Sequence, residues 1–193
     1  MNTEQIKNLV ERSKNKDDHA FGELFDFYYP KILNYALRST TDLAAAQDIT
    51  SNTFLKALRG LNNFQWRTDS SFNAWIYKIA TNEIRQFFRK AKNNNTISIN
   101  EKENDLSDNN MSFKNIQASI ESDEYLNIIN RSLLKIDPIY QDIIRLRYIE
   151  DLSYAEISEI INKNESTVRV YCKRAKEKLK EFIGKENKNL LEN

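Results

Sequence analysis

Arg169, Lys173, Arg174, Lys176, Lys178 and Lys180 recur along one side of the segment 165–182, while Val168, Cys172, Ala175 and Leu179 recur on the other at i, i+4, i+7 and i+11. The apolar set is a single buried stripe of an α-helix, so the cations share its outward face. Guanidinium and ammonium groups in such a row suit one chemistry, the neutralisation of phosphates and the gripping of base edges. The element that must hold this helix in place lies just before it. Ser153 followed by Glu156 is a capping-box signature, Ala155, Ile157, Ile160 and Ile161 mark one apolar face, and Asn162-Lys163-Asn164 breaks the pattern with residues that tolerate a left-handed backbone. A short helix, a tight polar turn and a longer basic helix make a helix-turn-helix, whose second helix enters the DNA major groove. A solvated surface helix would have the same amphipathic pattern, so this segment by itself leaves both roles open.

Other chemistries find no support in the chain. There are no acids clustered at metal-ligand spacing, no Ser or Tyr nucleophile with convergent bases, and no phosphate loop. His19 is the lone histidine and has no ligating neighbours, so neither a metal nor a cofactor is expected. Cys172 is the single cysteine, which excludes an internal disulfide, and its place on the apolar stripe marks it as a small core residue. The start of the chain has no apolar run of signal-peptide length and no later stretch approaches a membrane span, so a cytoplasmic, non-enzymatic protein is expected.

With 3 Gly, 2 Pro and helical periodicity throughout its 193 residues, the chain is expected to be all-α. Its net charge is only +1, but the charge is segregated. Residues 101–124 hold seven acids against Lys102 and Lys114, whereas residues 163–185 hold eight bases against Glu165, Glu177 and Glu181.

Four apolar stripes precede the acidic stretch. They run through Ile6, Leu9 and Val10; through Phe21, Leu24, Phe25 and Tyr28; through Ile49, Phe54, Ala57, Leu58 and Leu61; and from Phe72 through Trp75, Ile76, Ile79, Ala80 and Ile84 to Phe87 and Phe88. This predicts a helical bundle over 1–92. Residues 93–118 lose the periodicity and have the Asn-, Ser- and acid-rich composition of a flexible linker, which as a coil would span roughly 25–30 Å. A second helical domain is expected over 119–185, with a helix starting at Asp137-Pro138 and a tail at 186–193.

In this order the pieces resemble a bacterial sigma-70 family RNA polymerase sigma factor of the short extracytoplasmic-function (ECF) type, which keeps only regions 2 and 4. Asp17, Ala20, Phe21, Leu24 and Tyr28-Tyr29-Pro30 are similar to the opening of region 2. Asp48-Ile49 with Phe54-Leu55-Lys56-Ala57 resembles the region 2.2 helix, and Phe72-Asn73-Ala74-Trp75-Ile76-Tyr77-Lys78-Ile79-Ala80-Thr81-Asn82 resembles regions 2.3 and 2.4, the most specific match. In region 4 the similar runs are Leu134–Pro138, Leu152–Ser158 and Ser166–Arg169. Ser51-Asn52 and Gln86 depart from the family pattern, which has an acidic pair and an Asp there.

The resemblance implies a polymerase subunit without chemistry of its own, one that directs promoter-specific initiation. Region 2 would read the −10 element, with Asn63, Phe64, Trp66 and Arg67 as the candidate pocket for an unstacked base and Lys78, Asn82, Arg85, Arg89 and Lys90 as the tracking face. Phe64 and Trp66 could instead plug their loop onto the bundle. Region 4 would read the −35 duplex through Ser166, Thr167, Arg169, Val170 and Lys173 in the first turns of its second helix, with Arg174, Lys176 and Lys178 on phosphate or in solvent. Asp48, Asn52, Lys56 and Arg59 share the polar side of the region 2.2 helix. The resemblance assigns that side to the β′ clamp helices of core RNA polymerase and region 4 to the β flap, and it adds an anti-sigma factor as a further partner. A helix-turn-helix activator outside the polymerase would share the C-terminal half but would need neither the Phe72–Asn82 signature nor the Trp66 loop.

Overall fold

The computed structural model describes residues 1–66, 71–95, 129 and 131–191, and every regular element among them is helical. The chain divides into two compact units. The first comprises residues 1–98 together with 145–165, and the second comprises 99–144 together with 166–193.

Three acidic or amide caps start the first unit's helices. In α1 (Thr3–Lys14) Asn2 and Gln5 cap each other, the Gln5 amide N–H donating to Asn2 at 2.9 Å and the Asn2 N–H to Gln5 at 2.8 Å. Asp17 caps α2 (Asp18–Thr40) and Asp42 caps α3 (Leu43–Gly60), accepting from the backbone of Ala20 and Ala45 at 3.1 and 3.0 Å. The Asp17 carboxyl is held below the usual range by that backbone bond and by Arg12. Between α2 and α3 Thr41 takes a left-handed backbone (φ 55°), which turns the chain back on itself within two residues.

A 3-10 turn (Leu61–Asn63) leads to the loop before α4 (Ser71–Asn95), which packs on α3 and α2. Tyr28, Ile32, Tyr35, Ala46, Ile76 and Ala80 are buried at the centre. The buried Tyr35 hydroxyl meets Thr81 Oγ1 at 3.0 Å, and Thr81 donates onward to the Tyr77 carbonyl at 2.8 Å, so this polar pair is satisfied inside the core. Lys56 of α3 pairs with the buried Glu83 of α4.

Two members of the expected stripes lie outside this core. Leu58 is exposed because it lies half a turn round the α3 axis from Ile49, just past the edge of the buried face at Phe54, and Phe88 lies on the stretch of α4 after Ile84 where no described residue is buried. The helix also continues three residues into the stretch expected as linker. The remainder of that stretch, 96–118, lies outside the described residues.

Residues 145–165 complete the unit. A π-helical turn (Arg145–Ile149) ends in a loop where Asp151 has φ 53° and where Arg147 donates to the Leu152 carbonyl at 2.8 Å. The next helix opens on the expected capping box, Ser153 with Glu156, and closes on Asn162 in the left-handed conformation. It runs Tyr154–Ile161 and packs on α4, burying Ile157, Ile160 and Ile161, whereas Ala155 faces solvent.

In the second unit α5 (Pro138–Ile144), which leads into that π turn, starts where Asp137-Pro138 predicts. With the Tyr154–Ile161 helix as α6, the long C-terminal helix α7 spans Glu165–Leu191, reaching past the end expected for the domain. Leu133, Ile136, Ile144 and Ala175 form the unit's small core, with Tyr140, Leu179 and Phe182 packed against it. Val168 and Cys172 are buried on the predicted stripe. Lys178 ties α7 to Asp137 at 3.0 Å and stands 5.1 Å from the Tyr140 ring.

Candidate nucleic-acid interface

The loop after the 3-10 turn is anchored by aromatic contacts. Phe64 is buried, with ring centroids 5.4 Å from Trp66, 5.5 Å from Phe72 and 5.0 Å from Trp75, so it serves as the plug of the loop. Trp66 is half-buried behind it, and its indole N–H has no hydrogen-bond acceptor among the described residues. The ammonium of Lys14 lies 5.6 Å from the Phe64 ring.

Beside this cluster opens a cleft of about 410 Å³ lined by Asn63, Phe64, Gln65, Ala74, Trp75 and Lys78 and, from α6, by Ser158, Glu159 and Asn162. It offers an aromatic wall, three amides and a cation, the groups that hold an unstacked base next to a phosphate, with one carboxylate, Glu159, among them. From Lys78 the face continues along α4 through the exposed Asn82, Arg85 and Arg89, at i, i+4, i+7 and i+11, with Lys90 alongside.

Two further faces have separate characters. On α7, Ser166, Arg169, Val170, Lys173 and Arg174 are exposed and Thr167 is half-buried. Arg169, Val170, Lys173 and Arg174 line a shallow groove of about 460 Å³ with Glu177. On α3, Asp48, Asn52, Lys56 and Arg59 are all exposed.

Two family models match the chain: Sigma-70 region 2 over residues 24–94 and Sigma-70, region 4 over residues 126–179. The RNA polymerase sigma factor YlaC of Bacillus subtilis is 31% identical over 173 residues, covering 89% of this chain and 95% of YlaC. The chain belongs to the sigma-70 family. Within it the ECF type is supported by the ECF RNA polymerase sigma factor BldN of Streptomyces coelicolor, 28% identical over 175 residues, 89% of this chain. The chain spans 63% of BldN's length. Its fold matches CnrH, solved in complex with the cytosolic domain of CnrY, with a TM-score of 0.70 at 20% identity over 93% of this chain and 97% of that one. The function is that of a sigma factor. Sigma factors are non-catalytic, DNA-binding initiation factors.

In this sigma factor the structure brings Asn63, Phe64 and Lys78 to one cleft and continues it into the Asn82, Arg85 and Arg89 row. Trp66 stands outside the cleft wall and Trp75, expected in the core, is part of it. Arg67 lies outside the described residues. Sequence reasoning also missed Leu55 and Leu58, exposed at 51% and 52% on the outer side of α3. Leu55 falls on the line Asp48, Asn52, Arg59, a spacing that could have revealed it. No helix among the described residues is long and apolar enough to cross a membrane.

Proposed function

We propose that this sigma factor uses the first block, 1–92, to hold core polymerase and the −10 element, and 119–185 to read the −35 element, with 93–118 as the tether between them. One observation supports the −10 assignment above all. Lys78 sits both in the aromatic-walled cleft and at the head of the α4 cation row, so a base in the cleft and the phosphates following it can be held by one helix. Asn63, Phe64, Trp66 and Arg67 shape the base site, and Asn82, Arg85, Arg89 and Lys90 track the strand.

On α7, Ser166, Thr167, Arg169, Val170 and Lys173 meet base edges or their surroundings, and Arg174 meets phosphate. Asp48, Asn52, Lys56 and Arg59, with Leu55 among them, face the β′ clamp helices, and region 4 meets the β flap. The protein acts in the cytoplasm, where core polymerase is, and has no reaction of its own. An anti-sigma factor is a further partner, in keeping with the fold relative RpoE of Bartonella quintana, a sigma factor solved in complex with the anti-sigma factor NepR.

The test is reconstitution with bacterial core polymerase on a pool of promoter fragments. A stable holoenzyme with new start sites is expected. Absence of both defeats the proposal, and DNA binding without holoenzyme would favour an activator outside the polymerase.

A further inference from the structure

On α7 one apolar side chain stands where neither the core nor the helix asks for it. Val168, Cys172 and Ala175 are the inward stripe, each at most 1% exposed. Val170 lies two residues from Val168, about 200° round the axis, and is 47% exposed. Its neighbours at i−4, i−3, i+3 and i+4 are Ser166, Thr167, Lys173 and Arg174, so it is a lone apolar spot in a polar and cationic field. A β-branched residue is also a poorer helix former than Lys, Arg or Ala at an exposed site. With Arg169, Lys173, Arg174 and Glu177 it lines the shallow groove of α7. The three cations suit phosphates and base edges, and Glu177, at i+7 from Val170, sets a carboxylate that repels phosphate at the far end of that groove. The helix starts at Glu165, so Val170 sits in its second turn, within the part of a recognition helix that reaches base edges.

In the major groove the four bases differ in their hydrogen-bonding groups, but only thymine presents a methyl group, and an apolar side chain is the matching contact. We propose that Val170 is a specificity-determining residue for the −35 element, its isopropyl group packing on the 5-methyl group of a thymine while Arg169, Lys173 and Arg174 hold the bases and phosphates around it. The proposal rests on α7 being the −35 reader proposed above, and it adds a base that this helix demands. A polar side chain at position 170 would read the hydrogen-bonding edge of the base instead. Valine has no donor or acceptor in its side chain, so the methyl group is what it can select.

The experiment uses holoenzyme reconstituted from the full chain and bacterial core polymerase. A promoter pool randomised over the −35 segment yields the preferred duplex. Each thymine of that segment, on either strand, is then replaced in turn by deoxyuridine, which pairs alike but lacks the methyl group. Competition binding gives a thymine-to-uracil affinity ratio at each position. Loss of a methyl group buried against Val170 corresponds to about three- to fivefold, so a ratio of that size is expected at the contacted thymine and a ratio of about one elsewhere. In Val170→Ser the ratio at the contacted position should fall to about one, and in Val170→Thr, which keeps a methyl group on Cβ, it should persist in part. Because each ratio is taken within one variant, a substitution that merely weakens folding or holoenzyme assembly leaves it unmoved. Ratios of about one throughout, equal losses at every thymine, a preferred segment without thymine, or a Val170→Ser ratio equal to the parent's each overturn the proposal while leaving α7 as the −35 reader. If no holoenzyme forms, or no −35 preference emerges from the pool, the assignment of α7 falls and the proposal with it.

Discussion

Gly60 closes α3 directly beneath the wall of the proposed base site, and a methyl group there tests how firmly that wall is built. A Cβ at Gly60 would stand 3.2 Å from Trp75 Cζ2 and 3.9 Å from Cη2, so Trp75 would have to give by a few tenths of an ångström. It can give only toward the cleft, which would pull its ring out of its packing 5.0 Å from Phe64 and 5.5 Å from Phe72. The backbone of Gly60 (φ −89°, ψ −10°) suits alanine, which alone would stabilise by about 0.4–1 kcal/mol through the unfolded chain. Overpacking a filled site costs about 1–3 kcal/mol, so the clash wins and Gly60→Ala should destabilise by about 0.5–2 kcal/mol. Gly22 in α2 is the control, since nothing lies within 4 Å of its Cβ position, and Gly22→Ala should stabilise by about 0.5–1 kcal/mol. Urea unfolding followed by circular dichroism measures both, and native tryptophan emission should shift in Gly60→Ala alone. If Gly60→Ala is as stable as the parent and its emission is unchanged, the Phe64–Phe72–Trp75 cluster is not the rigid wall argued for here.

Arg169→Ala should cost about 1–3 kcal/mol on a duplex with its matched −35 element and much less on mismatched ones, read by a promoter-mutant binding series. Lys178→Ala should act on stability instead, by at most about 1 kcal/mol after solvent screening, because Lys178 pairs with Asp137 at a half-exposed site. Leu55→Asp should leave folding within about 0.5 kcal/mol while weakening core polymerase at least about tenfold in a competition assay; equal affinity would remove Leu55 from that face. The packing of 145–165 on α4 should depend on pH through Glu150, whose carboxyl is raised mainly by burial, against the Tyr77 hydrogen bond and the charges of Arg38 and Lys31. The folded protein binds that proton more tightly than the unfolded chain. This contribution to stability is therefore fully present below the ordinary carboxylate range and is lost as pH rises through the raised value. Hydrogen exchange over 154–161 should speed up across that window in the parent and flatten in Glu150→Gln.

Local patterns in the chain spoke plainly where the physics is local. Ser153–Glu156, Asn162 and Asp137-Pro138 set helix ends because caps and left-handed exits need only neighbouring residues, and each stands in the structure where the spacing put it. The stripe Val168, Cys172 and Ala175 is buried because one period of 3.6 residues decides a face. Leu58, Phe88 and Ala155 went the other way, since apolar spacing says which residues could be buried and only the reach of neighbouring helices says which are.

The sequence by itself determined the all-helical class, the helix-turn-helix and the family, through ordered motifs that survive as one-dimensional patterns. Tertiary structure alone decided that Trp75 rather than Trp66 walls the cleft and that Asn73 and Tyr77 are engaged by Glu156 and Glu150. Those pairs are 83 and 73 residues apart in the chain, a separation across which no helical period carries information. Only packing could bring a signature helix and the carboxylates that accept from it to hydrogen-bond distance.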